Sequence, residues 1–332
     1  MHSRGNMKVD PMDRRDSLLA LLALAVAPLA GFAQQPGKIW RIVVLTTTSS
    51  GLKSGESDAY GAAFVAEMQA AGLTFGVDYV IELRSLDDYE LTLLNADIII
   101  PVSPLAVSVA HKASKTIPIV CIGVHDPVGM GLAASLARPG GNLTGLATFY
   151  ADLVPKHLEL LKSIVPKLSR VALLANAKVV GDSAFAKKLR EAAQLLGIRL
   201  QLVTVDSTEQ LPQAFAAMRR ERAGAMITLA DSMFFRERRR LAELALKHRL
   251  PSLFPNRENV QAGGLVSYGE DFVEMFAQSA KYVSKIMRGA KPGDLPIEQP
   301  TRFYLTINRK TAKALRLSLS QELLLRADQV VE

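Results

Sequence analysis

Polar side chains recur just after apolar runs along this 332-residue chain. The hydroxyl run Thr46-Thr47-Thr48-Ser49-Ser50 follows residues 39–45 (IWRIVVL), Ser103-Pro104 follows 98–100, and His125-Asp126-Pro127 follows 117–124. Further along, Asn176 follows 170–175 (RVALLA), Asp231-Ser232 follows 225–229, and Ser267-Tyr268 ends the run at 264–268. Hydroxyls and backbone N–H groups at such positions can hold a carboxylate, and an acidic residue there can receive an ammonium group. Thr47 and Ser103 are the candidate hydroxyl donors, with Asp126, Asn176, Asp231 and Tyr268 completing the candidate ligand-binding set. Each of them alone reads first as the cap of a helix or a turn. It is the recurrence that suggests a site.

Other chemistry is hard to find. The histidines at 2, 111, 125, 157 and 248 are scattered, and no H-E-x-x-H occurs. There is no G-x-S-x-G elbow and no Walker A loop. Gly129-Met130-Gly131-Leu132-Ala133-Ala134 matches G-x-G-x-x-A, but four residues separate it from the preceding strand, where the fingerprint needs none. The one cysteine, Cys121, sits in an apolar run, which suits an inert buried thiol and leaves no disulfide framework or Cys-based zinc cluster. No metal, cofactor or catalytic centre is expected.

The elements that would position these residues alternate. Apolar runs at 39–45, 79–83, 98–100 and 117–124 read as buried strands, with helical spacing at 56–71 and 104–115. A second series has strands at 170–175, 200–205 and 225–229, and helices at 152–164, 183–196, 209–220 and 232–248. Strand–helix alternation makes parallel sheets covered on both faces. The turn-rich segment 138–149 (RPGGNLTGLATF) separates the two series. The tail then breaks the alternation, with a strand at 264–268, a helix at 271–287, a Pro-rich stretch at 290–300, a strand at 303–307 and a short helix at 311–317.

Residues 1–33 read as a secretory signal peptide: Arg4, Lys8, Arg14 and Arg15, then the apolar run 17–30, then Gly31-Phe32-Ala33 before a polar stretch. That run is short of the ~20 residues of a membrane span. The expected location is the periplasm, by a Sec or twin-arginine route. Hydrophobic residues make up 49% and charged residues 22% of the chain, which excludes disorder. The net charge of +8 is spread through helical patterns among 32 acidic residues, and aromatics are only 6%. No nucleic-acid partner is expected from that mixture.

Several segments together resemble a bacterial family. Asp126-Pro127-Val128, then 131–136 (GLAASL) and 138–145 (RPGGNLTG), are similar to the signature of the ABC-transporter substrate-binding proteins with a type 1 periplasmic-binding fold. So are 156–166 (KHLELLKSIVP), 262–269 (AGGLVSYG), 294–314 and the ending 324–330 (LLRADQV). The resemblance spans nearly the whole chain beyond the signal segment, although Asn176-Ala177 stands where the family usually has an Asn-Pro turn.

The resemblance implies an α/β protein of two Rossmann-like lobes with parallel sheets joined by three hinge crossings. Lobe one would be 38–147 plus 265–288, and lobe two 148–264 plus 289–332. The crossings would lie near 146–149, 267–269 and 296–301, where Gly145 and Gly269 would give the backbone freedom. It also implies a monomer that takes a small ligand, an amino acid or related carboxylate, between its lobes and delivers it to an ABC permease in the membrane. A ligand-binding sensor acting through a receptor is an alternative, which a neighbouring permease and ATPase in the genome would argue against. A secreted α/β enzyme is another, which turnover of a ligand would reveal.

Overall fold

The computed structural model describes residues 38–46, 58–86, 95–149, 152–177 and 184–332. The signal segment and Thr47 lie outside the described residues. The first series runs β1 (Trp40–Thr46), α1 (Asp58–Ala70), β2 (Tyr79–Ser85), β3 (Ile98–Pro101), α2 (Pro104–Ala113), β4 (Ile119–Val124) and β5 (Leu143–Ala147). The second runs α3 (Val154–Ile164), β6 (Arg170–Asn176), α4 (Ala184–Leu195), β7 (Arg199–Val205), α5 (Leu211–Arg220) and β8 (Ala225–Thr228). It continues through α6 (Ser232–Arg236), α7 (Arg238–Lys247), β9 (Ser252–Phe254), α8 (Arg257–Gln261) and β10 (Val266–Gly269). The tail is α9 (Phe272–Met287), β11 (Ile297–Glu298), β12 (Tyr304–Asn308), α10 (Arg309–Ala314), α11 (Gln321–Leu325) and β13 (Gln329–Val331).

Two sheets result, in the orders β11-β5-β4-β3-β1-β2 and β13-β12-β10-β9-β8-β6-β7. Every pairing is parallel except β10 with β12. The strands read as unbroken apolar runs because both faces of each sheet are buried. In β6, Val171, Leu173 and Ala175 pack towards α3 and α4, while Ala172 and Leu174 pack towards α5 and α7. In β1, Ile42 and Val44 join Phe64 of α1 and Phe276 of α9, while Leu45 joins Val107 of α2 on the other face.

The chain passes between the lobes three times: after β5, at Glu270-Asp271 between β10 and α9, and over residues 299–303 between β11 and β12. Two tail segments sit differently from the sequence expectation. Residues 265–269, expected with lobe one, bury Leu265 and Val266 in the second core, and β10 pairs with β9 and β12. The segment around Ile297, expected with lobe two, pairs with Gly145 and Leu146 of β5 in the first sheet. Tyr282 of α9 anchors it there, its hydroxyl donating to the Pro296 carbonyl at 2.8 Å. The turn-rich 138–149 segment contains a full strand, β5, and the helix expected over 232–248 breaks at Glu237. Gly145 and Gly269 prove to be close-approach positions: a Cβ would lie 2.3 Å from the Cys121 carbonyl oxygen at the first and 2.6 Å from the Pro255 carbonyl oxygen at the second.

Candidate ligand-binding site

Parallel sheets place the carboxyl ends of their strands, and the starts of the following helices, along one edge. Here the two edges face each other across a cavity of about 730 Å³. The ends of β1, β3 and β4 bring Val44, Ser103 and Gly123 to it from the first lobe, and the segments after β8 and β9 bring Asp231 and Asn256 from the second. A volume of this size suits a small molecule, since such pockets run to roughly 300–1,000 Å³.

The two walls differ in chemistry. Among the described residues, every charged side chain lining the cavity comes from the second lobe: Glu209, Asp231, Arg236, Glu237 and Arg238. The first lobe supplies apolar and aromatic groups, the Thr46 and Ser103 hydroxyls, and the N-terminus of α2. Ser103 is the N-cap of that helix, and its Oγ accepts from Ala106 N at 3.2 Å. Pro104 at the first helical turn removes one N–H that the helix would leave unbonded.

Asp231 caps α6, with Oδ1 accepting from Met233 N at 2.8 Å. Its Oδ2 accepts from Asn176 Nδ2 at 3.2 Å, so Asn176, itself buried and not part of the lining, stands behind Asp231. Burial raises the Asp231 carboxyl above the ordinary carboxylate range, more than these N–H donors and Arg236 lower it. A cationic ligand group beside such a carboxylate would favour its charged form.

An aromatic wall faces it. Tyr60 of α1 stacks on Phe276 of α9, with centroids 5.2 Å apart and planes at 10°, and leans on Phe235 of α6 at 5.4 Å. The Tyr60–Phe235 contact spans the lobes. Phe64 and Phe272 extend the wall. Sequence reasoning passed over these rings because apolar residues at helical spacing read as core. The Tyr60 hydroxyl is buried without a hydrogen-bond partner, and burial, then the Glu258 charge, raises its pKa.

Ser103 and Asp231 of the expected set thus line one cavity, with Asn176 behind Asp231. Asp126 does not line it: this residue is exposed, and its Oδ1 accepts from Gly129 N at 2.8 Å in the turn after β4. Tyr268 lies at the crossings, where Phe303 packs between its ring at 6.1 Å and that of Phe149 at 6.1 Å. There Glu270 ties the first crossing to the second, its Oε1 accepting from Thr148 Oγ1 and Phe149 N, each at 2.7 Å.

His157 of α3 supports this region from beneath. Its Nε2–H donates to the Tyr268 carbonyl at 2.7 Å, and burial lowers its pKa from 6.5 to about 4. Between those two values the unfolded chain binds a proton that the folded one does not, so stability should fall as the pH drops from 6.5 towards 4. The loss should be about 3 kcal/mol. Urea midpoints across that range should show the decline, and His157→Gln should flatten it; an equally steep decline in the variant would assign the effect elsewhere.

No helix among the described residues is long and apolar enough to cross a membrane, and those residues hold no group of side chains fit to bind a metal ion. Comparison with known proteins agrees with the geometry. The chain is 24% identical over 219 residues to a tyrosine-binding protein of Clostridioides difficile (strain R20291), covering 66% of this chain and 63% of that protein. It therefore spans just under two thirds of that relative's length. Among solved structures, it is similar to a conserved domain protein of Vibrio cholerae O1 biovar El Tor strain N16961 (TM-score 0.76, 23% identity, 88% of this chain and 100% of that one). It is also similar to an ABC domain from Streptococcus pneumonia in complex with L-Trp (TM-score 0.75, 20% identity, 89% and 100%). The family model for ABC transporter substrate binding proteins matches residues 90–331, and the chain belongs to that family.

Proposed function

We propose that this substrate-binding protein captures an aromatic amino acid between its lobes and hands it to an ABC permease, working as a monomer in the periplasm after loss of the N-terminal signal segment. The observation that carries the reading is the division of the cavity: an aromatic wall on the first lobe, a desolvated carboxylate on the second, and a helix N-terminus with a serine hydroxyl beside the wall. An aromatic amino acid fits all three. Its ring packs on Tyr60 and Phe276, its ammonium pairs with Asp231, and its carboxylate takes Ser103 and the first N–H groups of α2. Relatives named for tyrosine binding and solved with L-Trp support this choice of ligand class. Contacts from both lobes favour the closed arrangement, so ligand shifts the population towards it.

Thermal unfolding with a panel of ligands tests the reading, since a ligand bound only by the folded form at about 100 times its Kd adds about 2.7 kcal/mol of stability. L-tryptophan, L-tyrosine or L-phenylalanine should raise Tm. Tryptamine, without the carboxylate, and indole-3-propionate, without the ammonium, should do so far less. Equal stabilisation by indole-3-propionate, or none by any aromatic amino acid, overturns it.

A further inference from the structure

The edge of the second sheet remote from the cavity is lined with cations. Strands β10, β9, β8, β6 and β7 begin there, and β12 and β13, which run the opposite way, end there. Arg199 opens β7, Arg222 precedes β8 and Arg249 precedes β9, while Arg219, Arg220 and Lys247 lie in the last turns of α5 and α7. These six are exposed, and no carboxylate of the described residues lies within ion-pair distance of any of them. Lys167 precedes β6 and Lys310 follows β12, so the row extends along the sheet order β12-β10-β9-β8-β6-β7. At ~4.8 Å between strands it is roughly 24 Å long. Glu221, which faces Arg170 at 3.8 Å, and Glu332, paired with Arg309, are the acidic groups beside it. Burial and then the Lys247 and Arg219 charges hold the His248 imidazole below its usual pKa.

Three of these cations also stand at left-handed backbone positions, as Arg316 does after α10. Lys167, Arg222 and Arg249 have φ of 57°, 59° and 53°. Left-handed backbone favours glycine, and Gly72, Gly197 and Gly289 fill such positions after α1, α4 and α9. At Arg222 and Arg249 the chain makes the glycine-type helix ending, with Ala223 N bonding Met218 O and Leu250 N bonding Ala245 O, yet carries a cation there. Helix dipoles favour the cations at the ends of α5 and α7. They do not account for Arg199 on a strand, and they oppose Lys310 in the first turn of α10.

We propose that this edge is a docking surface for anionic phospholipid headgroups, holding the protein against a membrane while the cavity at the opposite edge stays open. An extended row of unpaired cations complements a charged plane, and no aromatic side chain of the row offers the stacking that single-stranded nucleic acid takes. The inference does not depend on which ligand the cavity binds.

The chain from Gln34, which keeps every described strand and helix, is mixed with vesicles of phosphatidylcholine alone or with added phosphatidylglycerol. Binding should require phosphatidylglycerol and disappear at high salt. The triple variant Lys167→Gly, Arg222→Gly, Arg249→Gly should bind about a hundredfold more weakly, at about fivefold per cation. Its Tm should be unchanged or higher, because glycine suits all three backbones. Absence of binding at low salt, wild-type binding by the triple variant, or tighter binding to duplex DNA than to the anionic vesicles overturns the proposal.

Discussion

Asp231→Asn should lower affinity for L-tryptophan by about 10²–10³-fold and leave the ligand-free protein at least as stable as the wild type. Asparagine is as good an N-cap as aspartate, so the bond from Met233 N and the start of α6 survive. What is lost is the charge, together with Oδ2 as an acceptor, so the Asn176 amide must turn over for its oxygen to accept from the new Nδ2. Burial raises the Asp231 pKa above its unfolded value, so the charged form is less favoured in the folded chain than in the unfolded one. At neutral pH that carboxylate therefore reduces ligand-free stability, and removing its charge relieves the cost. Loss of affinity alongside retained or increased Tm is the mark of a group kept for binding. Calorimetric titration with L-tryptophan and a melting curve of each ligand-free protein decide it. Wild-type affinity in the variant would show that Asp231 only caps the helix.

The positions of Asp231 and Ser103 on the cavity lining were legible in the sequence, because a polar residue that follows an apolar run and precedes a helix sits at the carboxyl edge of a parallel sheet. The same signal misplaced Asp126. A carboxylate after a strand can as readily close a turn, and the sequence 126–131 (DPVGMG) gave no sign that the Asp126 side chain bonds Gly129 N. The aromatic wall was hidden for the opposite reason. Tyr60, Phe235 and Phe276 have the periodicity of core residues, and they do pack, but part of what they pack against is the cavity. The fold was more legible than the site. Runs such as Ile98-Ile99-Ile100 have few destinations other than a strand covered on both faces. Short elements escaped: β9, with three residues, and α8, with five, fall below the length at which a period can be read. Assignment of 265–269 and 297–298 to a lobe depends on strand pairing across long loops, which local pattern does not encode.

Gly145→Ala should destabilise the protein by about 3–5 kcal/mol, among the largest effects of any single methyl group here. Gly145 lies in β5 with φ of +127°, and a Cβ would fall 2.3 Å from the carbonyl oxygen and 2.6 Å from the nitrogen of Cys121. Those atoms belong to the backbone of β4, the strand beside it, so no side-chain rotation can make room. Gly140→Ala is the control. Gly140 also has positive φ, at +68°, but a Cβ there would meet nothing within 4 Å, so it should cost only about 1 kcal/mol. Urea midpoints of the two variants separate backbone conformation from steric overlap, and similar midpoints would show that β5 can move aside. The consequence reaches the site through connectivity. Gly145 pairs on its other side with Ile297 of β11, and β5 leads into the first crossing, where Thr148 and Phe149 hold Glu270. Displacing β5 would disturb all three crossings together, so any folded Gly145→Ala protein should also bind ligand more weakly, although Gly145 is not itself a residue of the cavity lining.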